Sequence, residues 1–113
     1  MEKVTIKVYS NLNNIEENND FLAIKDDNVI KYTDLENNKM IIDTKNNIIE
    51  RENNDYLFKI KLNDNKIEIT VKKLNRILEK DIETMLISLT KKRYLVRYLL
   101  LDEKIINEYY VNF

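Results

Sequence analysis

Four residues of this sequence, Tyr32, Arg51, Phe58 and Tyr98, are of types that could form a ligand site together. Each falls on the face of a predicted strand that the alternation of apolar and polar residues assigns to the interior. Inward tyrosine hydroxyls need hydrogen-bond partners, and an arginine on the same faces could supply them. The set predicts an aromatic cage with a cationic anchor for a small anionic or amphipathic ligand, such as a carboxylate or phosphate with an apolar body.

The hypothesis depends mainly on Arg51, because a guanidinium that faces a low-dielectric interior destabilises the fold unless it is paired. No Asp or Glu alternates in phase with the interior residues of the clearest strands, so the sequence offers Arg51 no obvious carboxylate. Two alternatives stay open. Arg51 lies near a strand end and could reach water, or the four residues fill a core in which hydroxyls and carbonyls satisfy the guanidinium.

Acid–base and metal chemistry have few candidates, because the sequence contains neither histidine nor cysteine. These absences remove the usual general base at neutral pH, the commonest zinc ligand, and any disulfide or thiolate site. The adjacent pair Asp26 and Asp27 fits a tight turn better than a metal site, since no further oxygen ligands follow nearby. We therefore predict no catalytic residues, no bound metal and no cofactor.

Charge and hydropathy limit the expected partners. The 19 basic and 20 acidic residues give a net charge of −1 and are interspersed, so we expect no nucleic-acid binding. No run of 18 or more apolar residues and no secretory h-region is present, so we expect no membrane association and a cytoplasmic location. The richness in Asn, Lys, Ile and Tyr, all encoded by AT-rich codons, indicates a genome of low G+C content.

The segments that must position these side chains read as short strands. Residues 55–71 alternate clearly, with a turn at 63–65, and form a predicted hairpin. The remaining predicted strands are 2–10, 21–25, 28–33, 39–45, 48–52, 93–101 and 104–113, with a polar loop through Asp20. This spacing predicts one all-β domain over residues 1–113, folded as an antiparallel meander, sandwich or barrel.

Asparagine is expected to make the turns, because the chain contains no glycine and no proline. Five Asn-Asn pairs, at 13–14, 18–19, 37–38, 46–47 and 53–54, fall between apolar segments. Asparagine is the residue other than glycine that most readily adopts the left-handed backbone conformation. The pairs therefore predict turns.

Residues 75–90 are ambiguous. Leu78, Ile82, Met85 and Leu89 recur at three- and four-residue intervals, as in the apolar stripe of a helix. Met85, Ile87 and Leu89 also alternate, as in a strand. A short helix within 75–90 therefore stays open beside the strand.

The order of these segments resembles the YwiB-like family of small bacterial proteins, which have a lipocalin-like, calycin-type β-barrel and no established function. The resemblance rests on the strand patterns of 21–25, 29–32, 48–51 and 94–98, and it extends over nearly the whole chain. It implies a single barrel of about eight to ten strands, with 76–90 as one long strand. It also places Arg51 and Tyr98 at positions where the family typically has an arginine and a tyrosine.

The sequence departs from that family at two turns. The family glycine after the arginine is replaced by Glu52-Asn53-Asn54, and a later turn glycine is replaced by Asn75. Asparagine can adopt the same backbone conformation, so the fold is expected to survive both changes.

Three functional classes fit these residues and strand patterns. A barrel of this size can hold one small ligand, which favours a non-enzymatic binding or interaction module. Related calycin-type barrels such as the phenolic acid decarboxylases use Tyr, Arg and Glu in catalysis, and Tyr98, Arg97 and Glu50 are the nominal candidates here. Because neighbouring residues on a strand face opposite ways, these three cannot all line one cavity. The third class is a structural subunit, for example a homodimer formed through an edge strand.

Overall fold

The computed structural model describes residues 2–11 and 17–113 and shows a closed antiparallel barrel of ten strands in this part of the chain. The strands are β1 (Glu2–Ser10), β2 (Glu17–Asp26), β3 (Val29–Thr33), β4 (Lys39–Asp43), β5 (Ile48–Glu52), β6 (Tyr56–Lys61), β7 (Lys66–Val71), β8 (Arg76–Leu89), β9 (Arg93–Leu100) and β10 (Ile105–Asn112). Consecutive strands pair with each other, and β1 pairs with β10 to close the barrel. The all-β prediction of eight to ten strands is confirmed.

Most predicted strands agree with the structure to within two residues. Strand β2 is the exception, because it begins at Glu17, whereas the sequence predicted a loop through Asp20. The pair Asn18-Asn19 accordingly lies in a strand opposite Tyr9 and Val8, so predicting a turn there was wrong. Pairing with β1 overrides the weak local preference of asparagine for turns. The pair at 13–14 lies outside the described residues.

The alternative prediction of a short helix within 75–90 is wrong. Residues 76–89 form the 14-residue strand β8, preceded by a single 3-10 turn, Lys72–Leu74. The first half of β8, 76–81, pairs with β7, and the second half, 82–89, pairs with β9. One strand therefore joins two parts of the barrel wall.

The turns use left-handed residues without glycine. Positive φ angles occur at Asp27, Asn37, Asn47, Asn65, Asn75 and Lys104. Four of these six are asparagines, which confirms that asparagine takes over the role of glycine in this chain. Asn75, one of these four asparagines, has φ 47° and ψ 45°.

The two ends of the barrel differ. At the closed end, which carries the turns 44–47, 62–65 and 90–92, buried side chains fill the interior. These are chiefly Val4, Ile6, Ile30, Ile42, Ile49, Leu62, Tyr94, Val96 and Val111. The Tyr94 hydroxyl donates a hydrogen bond of 2.9 Å to Asn47 Oδ1, which satisfies a polar group that would otherwise be buried unpaired. The open end carries the connections 34–38, 53–55, 72–75 and 101–104.

Closure of the barrel limits which strand edges could pair with a second copy of the chain. Every described strand has a neighbour on both sides, although residues 17–23 of β2 pair only with β1. An edge-strand homodimer, which stays a prediction, would have to use such a partly paired segment. No described helix has the length and apolar character needed to cross a membrane.

Candidate functional site

The open half of the barrel contains a cavity of about 510 Å³. Its walls are mainly apolar and aromatic. The wall residues include Val8, Phe21, Met40, Ile60, Ile67, Ile69 and Leu100. Cavities of this size, with apolar walls and a few polar groups, are typical of sites for small molecules.

All four residues singled out from the sequence line this cavity. The strand register explains how three of them meet: Tyr32 lies opposite Met40, Met40 opposite Arg51, and Arg51 opposite Phe58. Directly opposite residues of an antiparallel sheet point to the same face, so this row crosses β3 to β6 on the inner wall. Tyr98 reaches the cavity from β9 on the other side of the barrel.

The surroundings of Arg51 differ from the prediction that it has no carboxylate partner, because two carboxylates lie beside it. Its Nη2 donates to Glu36 Oε2 at 3.1 Å, and its Nε lies 3.9 Å from Asp34 Oδ2. Both partners come from the 34–38 loop, not from a strand, so a search for carboxylates in phase with the strands missed them. The predicted lack of a partner is therefore wrong.

The pairing of Arg51 is nevertheless incomplete. Its Nε is buried and donates no hydrogen bond to any described residue, since the distance to Asp34 is too long. The guanidinium carbon lies 5.7 Å from the centre of the Phe58 ring, within the range of a cation–π interaction. Arg51 is thus held over an aromatic face with its buried Nε–H unpaired among the described residues.

Asp34 holds the loop that supplies these carboxylates. Its Oδ1 accepts hydrogen bonds from the backbone N–H of Asn38 at 2.8 Å and of Glu36 at 3.0 Å. The buried Asn38 side chain donates to Asp34 and accepts a hydrogen bond of 3.1 Å from Asn53 Nδ2. The 34–38 loop is therefore tied both to itself and to the 53–55 connection, and Asp34 is fixed in place.

Three buried tyrosines, Tyr32, Tyr98 and Tyr109, share the cavity with Arg51. Burial raises the pKa of each phenol, and the charge of Arg51 partly opposes this rise at all three. The hydroxyls are neutral at physiological pH and can donate a hydrogen bond to an acceptor. The Tyr98 and Tyr109 rings stack with centroids 6.4 Å apart.

Sequence reasoning missed several lining residues. Tyr109 lies on β10 and alternates with its neighbours, so its inward face could have been found from the strand pattern. Lys80 and Glu103, which form an ion pair of 2.8 Å at the mouth, come from an exposed strand half and a turn. Neither position carries a periodic signal.

The nominal catalytic set does not assemble. Tyr98 is buried in the cavity, whereas Arg97 pairs with Glu108 at 2.7 Å and Glu50 lies 4.0 Å from Lys59. Arg97 and Glu50 do not line the cavity. No cluster of three or more metal-ligating residues occurs in the ranges 2–11 and 17–113.

Comparison with known proteins gave no match to a family model, to a curated protein or to a solved structure. The resemblance to the YwiB-like family therefore stays a prediction that rests on strand patterns alone.

Proposed function

We propose that the protein binds a small amphipathic anion inside the open half of the barrel, with the anionic group at Arg51 and the apolar body against the aliphatic wall. The observation that carries this proposal is that Arg51, which lines a cavity of about 510 Å³, has a buried Nε without a hydrogen-bond partner among the described residues. Leaving a buried donor unpaired costs about 1 to 3 kcal/mol, and an anionic ligand would remove that cost.

The tyrosines support the same proposal. The Tyr98 hydroxyl donates a hydrogen bond to the Tyr109 hydroxyl. Neutral phenols at Tyr32 and Tyr109 are the remaining donors near a fixed cation, an arrangement that suits a carboxylate or phosphate oxygen. A raised pKa leaves almost no phenolate at neutral pH, so these groups are poorly suited to act as general bases, which favours binding over proton abstraction.

A thermal-shift titration with octanoate tests the proposal on the wild-type chain. Ligand at ten times its Kd stabilises the native state by about 1.4 kcal/mol, which raises the midpoint by roughly 5 °C. In Arg51→Met we expect the octanoate Kd to rise about tenfold or more, because a charge-assisted hydrogen bond is lost. Octanol has the same tail without the charge, so the substitution should change the octanol Kd much less.

Arg93→Met is the matched control, because Arg93 is exposed at the closed end and does not line the cavity. It should leave octanoate binding unchanged. Equal octanoate affinity in wild type and Arg51→Met would remove Arg51 as the anchor. Absence of any shift at millimolar octanoate and octanol would remove the proposed site altogether.

A further inference from the structure

The carboxylate of Glu36 occupies part of the place that a bound anion would need. It contacts Arg51 through Nη2 alone, at 3.1 Å. The Nε and Nη2 hydrogens of arginine point the same way and together match the two oxygens of one carboxylate. Glu36 therefore uses half of a two-donor edge whose other half, Nε, is unsatisfied within the described chain.

The two loop carboxylates differ in how firmly they are held. The Asp34 side chain is 19% exposed and accepts several hydrogen bonds from its own loop. The Glu36 side chain is 76% exposed, and its contact with Arg51 is the only side-chain hydrogen bond or ion pair it makes to the described residues. Exposed ion pairs of this kind contribute little to stability, so Glu36 can leave Arg51 at small cost.

We infer that Glu36 is an exchangeable counter-ion, which neutralises Arg51 in the empty barrel and is displaced by the carboxylate of the ligand. This inference rests on the proposed function and narrows it to a monocarboxylate. Five charged side chains surround the mouth: Arg51 and Lys80 are positive, while Asp34, Glu36 and Glu103 are negative, which sums to −1. A ligand with one negative charge that takes the place of Glu36 beside Arg51 keeps this sum at −1. A phosphate dianion would bring a second negative charge, which Asp34 and Glu103 would repel.

Isothermal titration calorimetry with octanoate on wild type and Glu36→Gln tests the exchange. Removal of the competing carboxylate should lower the octanoate Kd by about threefold to tenfold and leave the octanol Kd unchanged. Glu50→Gln removes one negative charge from the outer face of the same region and should have no such effect. Octyl phosphate should bind wild type more weakly than octanoate does.

A double substitution separates exchange at Arg51 from a general change in charge. In an Arg51→Met background, Glu36→Gln should no longer improve octanoate binding, because the shared partner is gone. A gain that persists in that background, or an unchanged or raised octanoate Kd in Glu36→Gln alone, would overturn the inference while leaving the cavity site intact. Failure of both octanoate and octanol to bind any of these proteins would overturn the proposed function as well.

Discussion

Asn65 and Asn75 occupy equivalent positions at the ends of two 3-10 turns, and both are left-handed, with φ of 53° and 47°. Their side chains differ in what they do. Asn65 Oδ1 accepts a hydrogen bond of 2.9 Å from the backbone N–H of Thr84, whereas the Asn75 side chain makes no hydrogen bond to the described residues. One asparagine therefore serves both as a left-handed residue and as a link to β8, and the other serves only as a left-handed residue.

Glycine substitution should separate the two roles. Asn75→Gly relieves the steric cost of a left-handed residue and should raise the free energy of unfolding by up to about 1 kcal/mol. Asn65→Gly gains the same relief but loses the bond to Thr84, so we expect a net loss of up to about 1 kcal/mol. Urea denaturation of both variants measures the difference, and equal effects would contradict the assignment of distinct roles.

At the scale of single elements, strand β8 shows why the helix alternative arose. Ile82 is buried, whereas Leu78 and Leu89 are 42% and 53% exposed. A register shift between Thr84 and Leu86 moves the alternation by one residue, so that Ile87 lies opposite the buried Val96. An extra residue in a strand with a period of two imitates spacings of three and four. The sequence contains no separate signal for the bulge, and periodicity therefore favoured a helix.

The anchoring of β8 is concentrated at Ile82. Ile82 is 3% exposed and Ile77 on the same strand is 63% exposed. Ile82→Ala should lower the free energy of unfolding by about 2 to 5 kcal/mol, since it opens a cavity in the core. Ile77→Ala should change it by less than about 0.5 kcal/mol. Chemical denaturation of the pair checks this, and similar losses in both would show that the first half of β8 is buried in solution.

The site was predictable where it lies on strands and unpredictable where it lies on loops. Tyr32, Arg51 and Phe58 meet because alternation and register fix which face each residue takes. Asp34 and Glu36 reach Arg51 from a turn whose shape depends on hydrogen bonds to Asp34. Loops have no period that relates position to direction, so the partners of Arg51 could not be read from the sequence.

At the scale of the whole molecule, the barrel combines a filled end with a hollow one. The aliphatic core and Tyr94 stabilise the closed end, and the open end contains the cavity with its buried phenols. Burial raises the pKa of the phenols at both ends, including Tyr94, Tyr98 and Tyr109. Folding therefore favours the neutral form of each of them.

Because the pKa values of these phenols are raised in the folded state, the free energy of unfolding should fall at alkaline pH. An unfolded tyrosine ionises near pH 10, so the stabilisation is fully present below about pH 10 and is lost as pH rises toward the higher folded pKa values. We expect absorbance at 295 nm to show some of the seven tyrosines ionising only as the far-UV circular dichroism signal disappears. Ionisation of all seven near pH 10 with the strand signal intact would contradict the burial.

Closure of the barrel by β1 and β10 also has a kinetic consequence. Every other pairing in the described barrel joins strands that follow each other in the chain, so those hairpins can form as soon as both strands exist. Contact between Thr5 and Asn112 instead spans almost the whole sequence and bears the loop-closure entropy of the intervening chain. During synthesis, β1 must wait for Ile105–Asn112 before its second edge is paired, and until then the cavity has no complete wall.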